Sequence, residues 1–599
     1  MKFLNLSLVY LSLVLPISSS WAQNQNNTSL KHAQACRNVP GSPGYPTPAA
    51  WDAFNATISG RLIKVVPSAV YCANLPGGSC TDAQWTSALF RSMIPGAADQ
   101  VNWEQGYDLT PPALCLRNST NTCKQGDVPL YSVEAETVAD VQAAVKFASA
   151  HNLRLVLKSS GHDTLGRSSA RQALLIRTTN FQNLTFTDAF YIGGQNQGPA
   201  VTVGSGARGQ DLYRAGKANG RAVLGGSAGT VCIAGGYIQG AGHSALSPLF
   251  GLAADNVLGA LHLCSAVRFG SDYLLSVFQE FNIIVASGEL LKVNSVSHSD
   301  LFFALRGGGS GSWGVLISAT FKNYPTFNST SNVITFRATN NTAAGALATA
   351  HAHHIFDLDS SHASHSWIML QNATDNTTSF EMNANIPHTT IEESKTLLAA
   401  FMNASLVLPG VSLVSEEYGF GDINDALFQA DDAAGTNSVL GSRLIPAETY
   451  RQSPEKVGQV YKELLDIGTQ QIFGIVVAGG KVAENADIES AVHPAWRKAK
   501  THFVIHNFWD DSAPLSEINA IRKKFTTLQR PVVEQLSGPN PGSYSNEADI
   551  FEPQFQTTFY GPNYAKLSAI KARYDPEDLF IVARGVGSER WDEWALCRA

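Results

Sequence analysis

Seven glycines, Gly225, Gly226, Gly229, Gly235, Gly236, Gly240 and Gly242, fall within eighteen residues. Backbone without side chains allows turns with φ > 0 and close approach to a flat or phosphorylated ligand. The exposed N–H groups of such a loop can hold a pyrophosphate; a run of tight turns gives the same pattern. Two stretches match G-x-G-x-x-G. Gly204-Ser-Gly206-Ala-Arg-Gly209 follows a strand and precedes a helix, but no acidic residue ends a following strand about twenty residues on. Gly309-Ser-Gly311-Ser-Trp-Gly314 lies between a helix and a strand, the reverse of a dinucleotide fingerprint. A Rossmann site is therefore not expected. Lys158-Ser159-Ser160-Gly161-His162-Asp163 directly follows a buried strand and, with the glycine segment, reads as a cofactor loop.

The chain has 599 residues, 44% of them hydrophobic. That exceeds what one core usually holds, so at least two domains are expected. Net charge is −7, and no Lys/Arg-rich run occurs, which argues against a nucleic-acid partner. Residues 1–22 begin with Met1-Lys2, continue as an apolar run through Leu15 and end in small residues at Ala22. This is the pattern of a secretory signal, too short to span a membrane comfortably. A secreted, extracellular protein with no membrane partner is expected. N-glycan acceptor tripeptides occur at Asn26, Asn27, Asn55, Asn118, Asn183, Asn328, Asn340, Asn372, Asn376 and Asn403. The cysteines suit an oxidising compartment. Cys72/Cys80 and Cys115/Cys123 can close small loops, and Cys36 could then tie to Cys597, although spacing does not fix connectivity. Cys232 and Cys264 stand apart.

Residues 23–125 are loop-rich. Beyond Val128 the pattern becomes regular, with a helix over Thr137–Ala150, strands at Leu153–Lys158, Gln172–Arg177 and Ala200–Val203, and a helix at Gln210–Asn219. After Pro325 come longer alternating strands: Val333–Arg337, Ser366–Gln371, Val439–Leu444, Phe473–Val477 and Thr501–Phe508. Helices Ile391–Met402 and Pro454–Ile467 separate them. This predicts an antiparallel sheet with helices on one face, an α+β arrangement. His351, His353, His354, His362 and His365 match no metal-site spacing and read as surface histidines, so no metal is expected.

The succession of segments is more specific than any one of them. VPLYSVEAETVADVQAAVKFASAHNLRLVLKSSGHD is followed by AVTVGSGARGQDLY, GTVCIAGGYIQGAGHSALSPLFGLAADNVL and DLFFALRGGGSGSWGV. SYSNEAD, YGPNYAKLSAIKARYDPEDLF and VGSERW close the series. From about Trp51 to Trp591 the chain resembles secreted fungal flavoproteins of the vanillyl-alcohol-oxidase superfamily, berberine-bridge-enzyme-like branch. The resemblance implies a two-domain α+β fold. An FAD-binding domain would take 36–325 and 535–599, and an antiparallel-sheet substrate domain 326–534. It implies FAD attached through His162, with Ser159, Ser160, Gly161, Asp163, Gly166, Thr230, Val231, Gly235, Gly236, Gly240, Asn563 and Tyr564 around the cofactor. A second flavin bond through a Cys before Thr230-Val231 is not expected, because Ala228 holds that position. Cys232 reads as a small buried thiol. Val231 beside the flavin edge favours reaction with O₂.

Oxidation at a carbon also requires that the attached O–H or N–H lose its proton. In relatives the groups that take it come from a Tyr-x-Asn segment, here Tyr544-Ser545-Asn546, and from a substrate-domain strand. There Val504 replaces the usual carboxylate or amide, flanked at period two by His502 and His506. The plant Tyr after the His-Asp pair is Thr164 here. Tyr544 is the expected base, with His502 or His506 assisting. The expected protein is a monomeric oxidase that passes hydride from an alcohol, hemiacetal or amine carbon to FAD and then to O₂, giving H₂O₂. Its substrate would be a carbohydrate or a secondary metabolite. A binding protein that keeps the fold without catalysis is the alternative. Finally, residues 259–279 interrupt what relatives continue as one strand from Val257-Leu258 into Glu280-Phe281. Their length and their Cys264 suggest a retained intron in the gene model.

Overall fold

The computed structural model describes residues 36–118, 122–257, 281–372, 374–539 and 541–599. The leader at 1–22, Asn26 and Asn27, and the interruption at 259–279 lie outside them.

The chain opens with helix Pro48–Thr57 and strand Leu62–Lys64, then enters a β-α-β unit. Strand Tyr131–Glu134 leads to helix Val138–Ala150, which starts at a capping box: Thr137 Oγ1 accepts from the Asp140 N–H, and the Asp140 carboxylate accepts from the Thr137 N–H. Its apolar stripe of Val141, Ala144, Val145 and Ala148 is buried against the sheet. Strand Leu155–Lys158 follows, and both it and Tyr131–Glu134 pair in parallel with Leu174–Arg177. The Lys158–Asp163 loop thus leaves the carboxyl end of a parallel strand, where such sheets hold ligands.

A five-stranded antiparallel sheet comes next, in the order Leu290–Val293, Phe281–Ile284, Val315–Lys322, Ala200–Gly204, Leu184–Thr187. The edges of the interrupted region meet on one strand of it. Val257 stands opposite Phe321, and Phe281 opposite Ala319.

A seven-stranded antiparallel sheet runs in the order Val411–Asp422, Asn328–Ala338, Thr378–Pro387, Ser364–Gln371, Gln471–Val476, Ala499–Trp509, Asn437–Pro446. Helices Asn341–His354, Ile391–Leu406 and Pro454–Asp466 cover one face and share its core. Thr378–Pro387 and Val411–Asp422 had no expectation from sequence, because their many Ser, Asn and Glu residues mask the alternation. Together with the mixed sheets before it, this is an α+β fold.

Three disulfides join Cys36–Cys597, Cys72–Cys80 and Cys115–Cys123. Cys232 is buried and free. The histidine-rich stretch departs from the surface reading. His351 and His365 are buried with their Nε2 atoms 3.0 Å apart, because one lies on the inward face of its helix and the other on an inner strand beneath it. Among the described residues no helix is long and apolar enough to cross a membrane.

Candidate functional site

Between the Lys158–Asp163 loop, the glycine segment and the open face of the seven-stranded sheet lies a cavity of about 580 Å³. Its floor is backbone. A Cβ on Gly235 would come within 2.6 Å of Ser159 Oγ, and Gly161 has φ +109°, so side chains are excluded where the two segments meet. Lys158 fixes the loop from behind. Its ammonium donates to the carbonyls of Ile94, Pro95 and Ala97. Burial, followed by the nearby Arg177, lowers its pKa to about 7. These bonds place Asp99, whose N–H donates to Gly161 O, beside the next residue.

That residue is His162. Its Nδ1 stands 2.6 Å from Asp99 Oδ2 and its Nε2 2.5 Å from Thr230 Oγ1. Thr230 Oγ1 in turn donates to Asp432, whose carboxylate also accepts the N–H groups of Gly229 and Thr230. Burial lowers the His162 pKa, but Asp99 and Asp432 outweigh it and the net direction is upward. Ser159, Ser160, Gly161, Asp163, Val231, Gly235, Gly236 and Cys232 line the same cavity. Burial raises the Cys232 thiol to about 11, so it stays protonated.

The opposite wall is the strand Ala499–Trp509. Val504 and His506 line the cavity, and His502, on the same face, is fully buried behind it. His506 Nδ1 lies 3.1 Å from Gln471 Oε1, its cross-strand partner, while its Nε2 has no partner. Donation to the amide oxygen makes Nδ1 the protonated nitrogen and leaves Nε2 a bare acceptor. Burial holds this imidazole neutral, with a pKa of about 3.

Tyr544 is buried at the junction, its hydroxyl accepting from Asn546 Nδ2 at 2.9 Å. Asn546 Oδ1 takes Arg167 Nη2, and Arg167 grips Asp163. Burial, then the charge of Glu547, pushes the Tyr544 phenol well above its ordinary value. Glu547 bridges two imidazoles, with His243 Nε2 at 3.0 Å from Oε1 and His502 Nε2 at 2.8 Å from Oε2. Burial raises its carboxyl, but the two histidines outweigh that and hold it well below the carboxylate range. The three donor atoms lie within 4.8 Å of one another, a set that satisfies itself by hydrogen bonds.

Four expected cofactor residues lie elsewhere. Asn563 donates to the carbonyls of Ala491 and Val492, and Tyr564 to Glu589, because their segment packs on the back of the site. Gly166 packs under Trp103 and lines a different cavity, and Gly240 sits against Asn546. Conversely, Asp99, Asp432, His243 and Glu547 were not expected from sequence. Glu547 directly follows Tyr-x-Asn and was within reach of that motif. Asp99 and Asp432 sit in loops without periodicity, and only the fold brings them to His162.

The cavity suits FAD on its own evidence. It is floored by glycine backbone and lined by Asp99, Ser205, Gln239 and His506, each with a buried polar atom that no protein group satisfies. Comparison with known proteins agrees. Residues 129–265 match the model of an FAD binding domain, and 543–587 that of berberine and berberine-like proteins. An uncharacterized FAD-linked oxidoreductase of Arthroderma benhamiae is 36% identical over 94% of this chain and 96% of its own. The FAD-linked oxidoreductase patO of Aspergillus clavatus is 31% identical over 94% and 95%. The crystal structure of the VAO-type flavoprotein MtVAO615 from Myceliophthora thermophila C1 superposes with a TM-score of 0.80 at 28% identity, covering 94% of this chain and all of the other. By cavity, sequence and fold together, the chain belongs to the FAD-linked oxidoreductases of the vanillyl-alcohol-oxidase superfamily, in the berberine-bridge-enzyme-like branch.

Proposed function

We propose that the protein is a secreted oxidase whose FAD is bonded to His162, acting on an alcohol, hemiacetal or amine carbon of a carbohydrate or a secondary metabolite. The observation that carries this reading is the clamp on His162. A carboxylate that accepts a hydrogen bond from one ring nitrogen raises the basicity of the imidazole, so the other nitrogen is a stronger nucleophile once it has lost its proton, and Asp99 is placed to do this. Asp432 holds the glycine segment and Thr230 against the ring from the far side. Bound FAD would supply the hydride acceptor and pass the electrons to O₂ as H₂O₂.

The chain's own residues divide the remaining work. Tyr544 was the base expected from sequence, but its surroundings favour the protonated phenol, which orients the substrate by donating to it. His506 Nε2 is unprotonated, unpartnered and at the cavity wall, and it accepts the proton of the substrate O–H or N–H. Glu547, pinned by His243 and His502, fixes the turn that carries Tyr544, since the Glu547 N–H donates to Tyr544 O. Val504 adds apolar surface between the two histidines of its strand.

Secretion is supported by the three disulfides and by the acceptor asparagines. Of the eight that are described, seven are exposed and Asn55 is half-buried. The test of the flavin bond is direct. Wild-type protein denatured in detergent should run as a flavin-fluorescent band, and His162→Ala should not. Flavin that washes out of the denatured wild type refutes the bond. Screening sugars and phenolic metabolites for H₂O₂ release then identifies the substrate class.

A further inference from the structure

A second cavity, of about 850 Å³, lies on the other side of the wall formed by Thr164, Arg167 and Leu440, residues common to both cavities. It is larger than the cavity assigned to the flavin. Its walls include the stretch around Trp103–Asp108, the loop at Thr164–Ala170, the strand residues Ser438–Leu440, the helix Leu515–Lys524, the segment around Phe551–Phe555 and the tail from Ile581 to Ala595. Its walls carry six aromatic rings, from Trp103, Tyr107, Phe551, Phe555, Trp591 and Trp594.

The charges on these walls are unevenly engaged. Asp108 and Asp127 are both taken by Arg171. Asp592 accepts the N–H groups of Trp594, Leu596 and Cys597. Glu589 accepts from Tyr564, and Glu593 from Trp594 Nε1. Arg167 is held by Asp163, but three other arginines have no carboxylate partner within bonding distance. The Arg522 guanidinium makes no hydrogen bond or ion pair with any described residue and lies 5.0 Å and 5.2 Å over the rings of Tyr107 and Trp509. Arg584 gives only its Nε, to Ile550 O, and lies over Phe555. Arg154 bonds only to the carbonyls of Leu155 and Trp594. Burial lowers the pKa of all three, Arg154 to about 9, and the acids near them, Asp592 for Arg154, Asp108 and Asp127 for Arg522, and Asp549, Glu552 and Glu593 for Arg584, offset this only in part.

We infer that this cavity is a second ligand site, built for a planar aromatic anion such as an aryl carboxylate. The rings would stack on its body and the guanidinium groups of Arg522 and Arg584 would hold its charge. The inference rests on these walls and not on the reaction proposed for the flavin cavity.

The probe is 1-naphthoate, titrated calorimetrically into the flavin-loaded protein, with naphthalene-1-carboxamide as its neutral isostere. The expected result is one site for the acid, with binding of the amide at least about tenfold weaker. Arg522→Met and Arg584→Met should each weaken the acid by about tenfold or more, the loss typical of a hydrogen bond to a charged group. Flavin content and thermal unfolding check that the variants are folded. Arg522→Met removes no hydrogen bond and is the safer of the two. No binding to wild type overturns the inference, as does equal affinity for acid and amide. Binding that ignores both arginine substitutions but is lost in Tyr544→Phe places the probe in the flavin cavity and also overturns it.

Discussion

Replacing the buried histidine pair by His351→Leu/His365→Leu should remove a specific part of the protein's acid sensitivity. The two imidazoles touch through Nε2 among the rings of Trp367, Phe380 and Phe401. Burial, then Lys500 and His354, holds His351 at about 3, and burial with His351 and Lys500 holds His365 well below its ordinary value. Both are therefore neutral when folded, while an unfolded histidine titrates at about 6.5. Below that pH the unfolded chain binds the extra protons, so stability is complete above about 6.5 and falls as pH drops toward about 3. At pH 5 the interval of roughly 1.5 units costs about 2 kcal/mol for His351 and as much again for His365, about 4 kcal/mol together. That is a large share of the 5–15 kcal/mol typical of a domain. Urea unfolding at pH 7.5 and pH 5.0, in wild type and double variant, isolates the effect from every other titrating group. The wild type should lose about 4 kcal/mol more than the variant between the two conditions. Equal losses would mean that the pair is solvated or already charged in the folded protein, and the reasoning would fall.

Asp432→Ala should leave the fold intact but sharply lower the fraction of flavin that survives denaturation, measured as gel fluorescence per mole of protein, because the glycine segment loses its anchor at Gly229 and Thr230. Once a substrate is found, rapid-mixing reduction rates should be flat from pH 5 to 9, since His506 is already unprotonated throughout. A rate rising tenfold per unit through pH 9 would instead make the Tyr544 phenolate the base. His506→Ala should slow that step by about 10²–10⁴. Cys36→Ser, which opens a loop of 561 residues, should destabilise by up to about 6 kcal/mol on chain entropy, against about 2.5 kcal/mol for either loop of eight, read as a shift in the urea midpoint. The spliced transcript should lack the codons for 259–279. The strand register leaves room for one residue between Val257 and Phe281, so excision must either absorb one residue as a bulge or remove twenty-two. Reads that retain the segment in the major mRNA would sink this.

Much of this architecture was legible because local pattern and tertiary role coincide. Thr137–Ala150 carries its own cap and stripe, and the long strands of 328–509 alternate where one face meets helices. The close meeting of the Lys158–Asp163 loop with the glycine segment was legible for the same reason, as glycine is needed wherever backbone meets backbone. What escaped were contacts with no local signature. Asp99 and Asp432 are ordinary loop carboxylates until the fold brings them to opposite sides of one imidazole. The histidines at 351 and 365 read as surface polarity, since nothing in their spacing says that one helix face and one strand face bury them together. Asn563 and Tyr564 show the opposite case, a motif whose side chains bond to Ala491, Val492 and Glu589 outside the cavity.

The bond between Cys36 and Cys597 turns almost the whole chain into a covalent ring. A protease that cuts once in any loop between them, outside the two small disulfide loops, leaves fragments that remain joined, so the damage is invisible on a non-reducing gel and appears only after reduction. With the Cα atoms of the two cysteines 4.0 Å apart, the chain could be joined at these two positions and opened in an exposed loop, at small geometric cost. In a medium rich in proteases, such a ring keeps the Lys158–Asp163 loop and the Tyr544–Glu547 segment, which line one cavity, at high effective concentration after a cut that would separate them in an open chain.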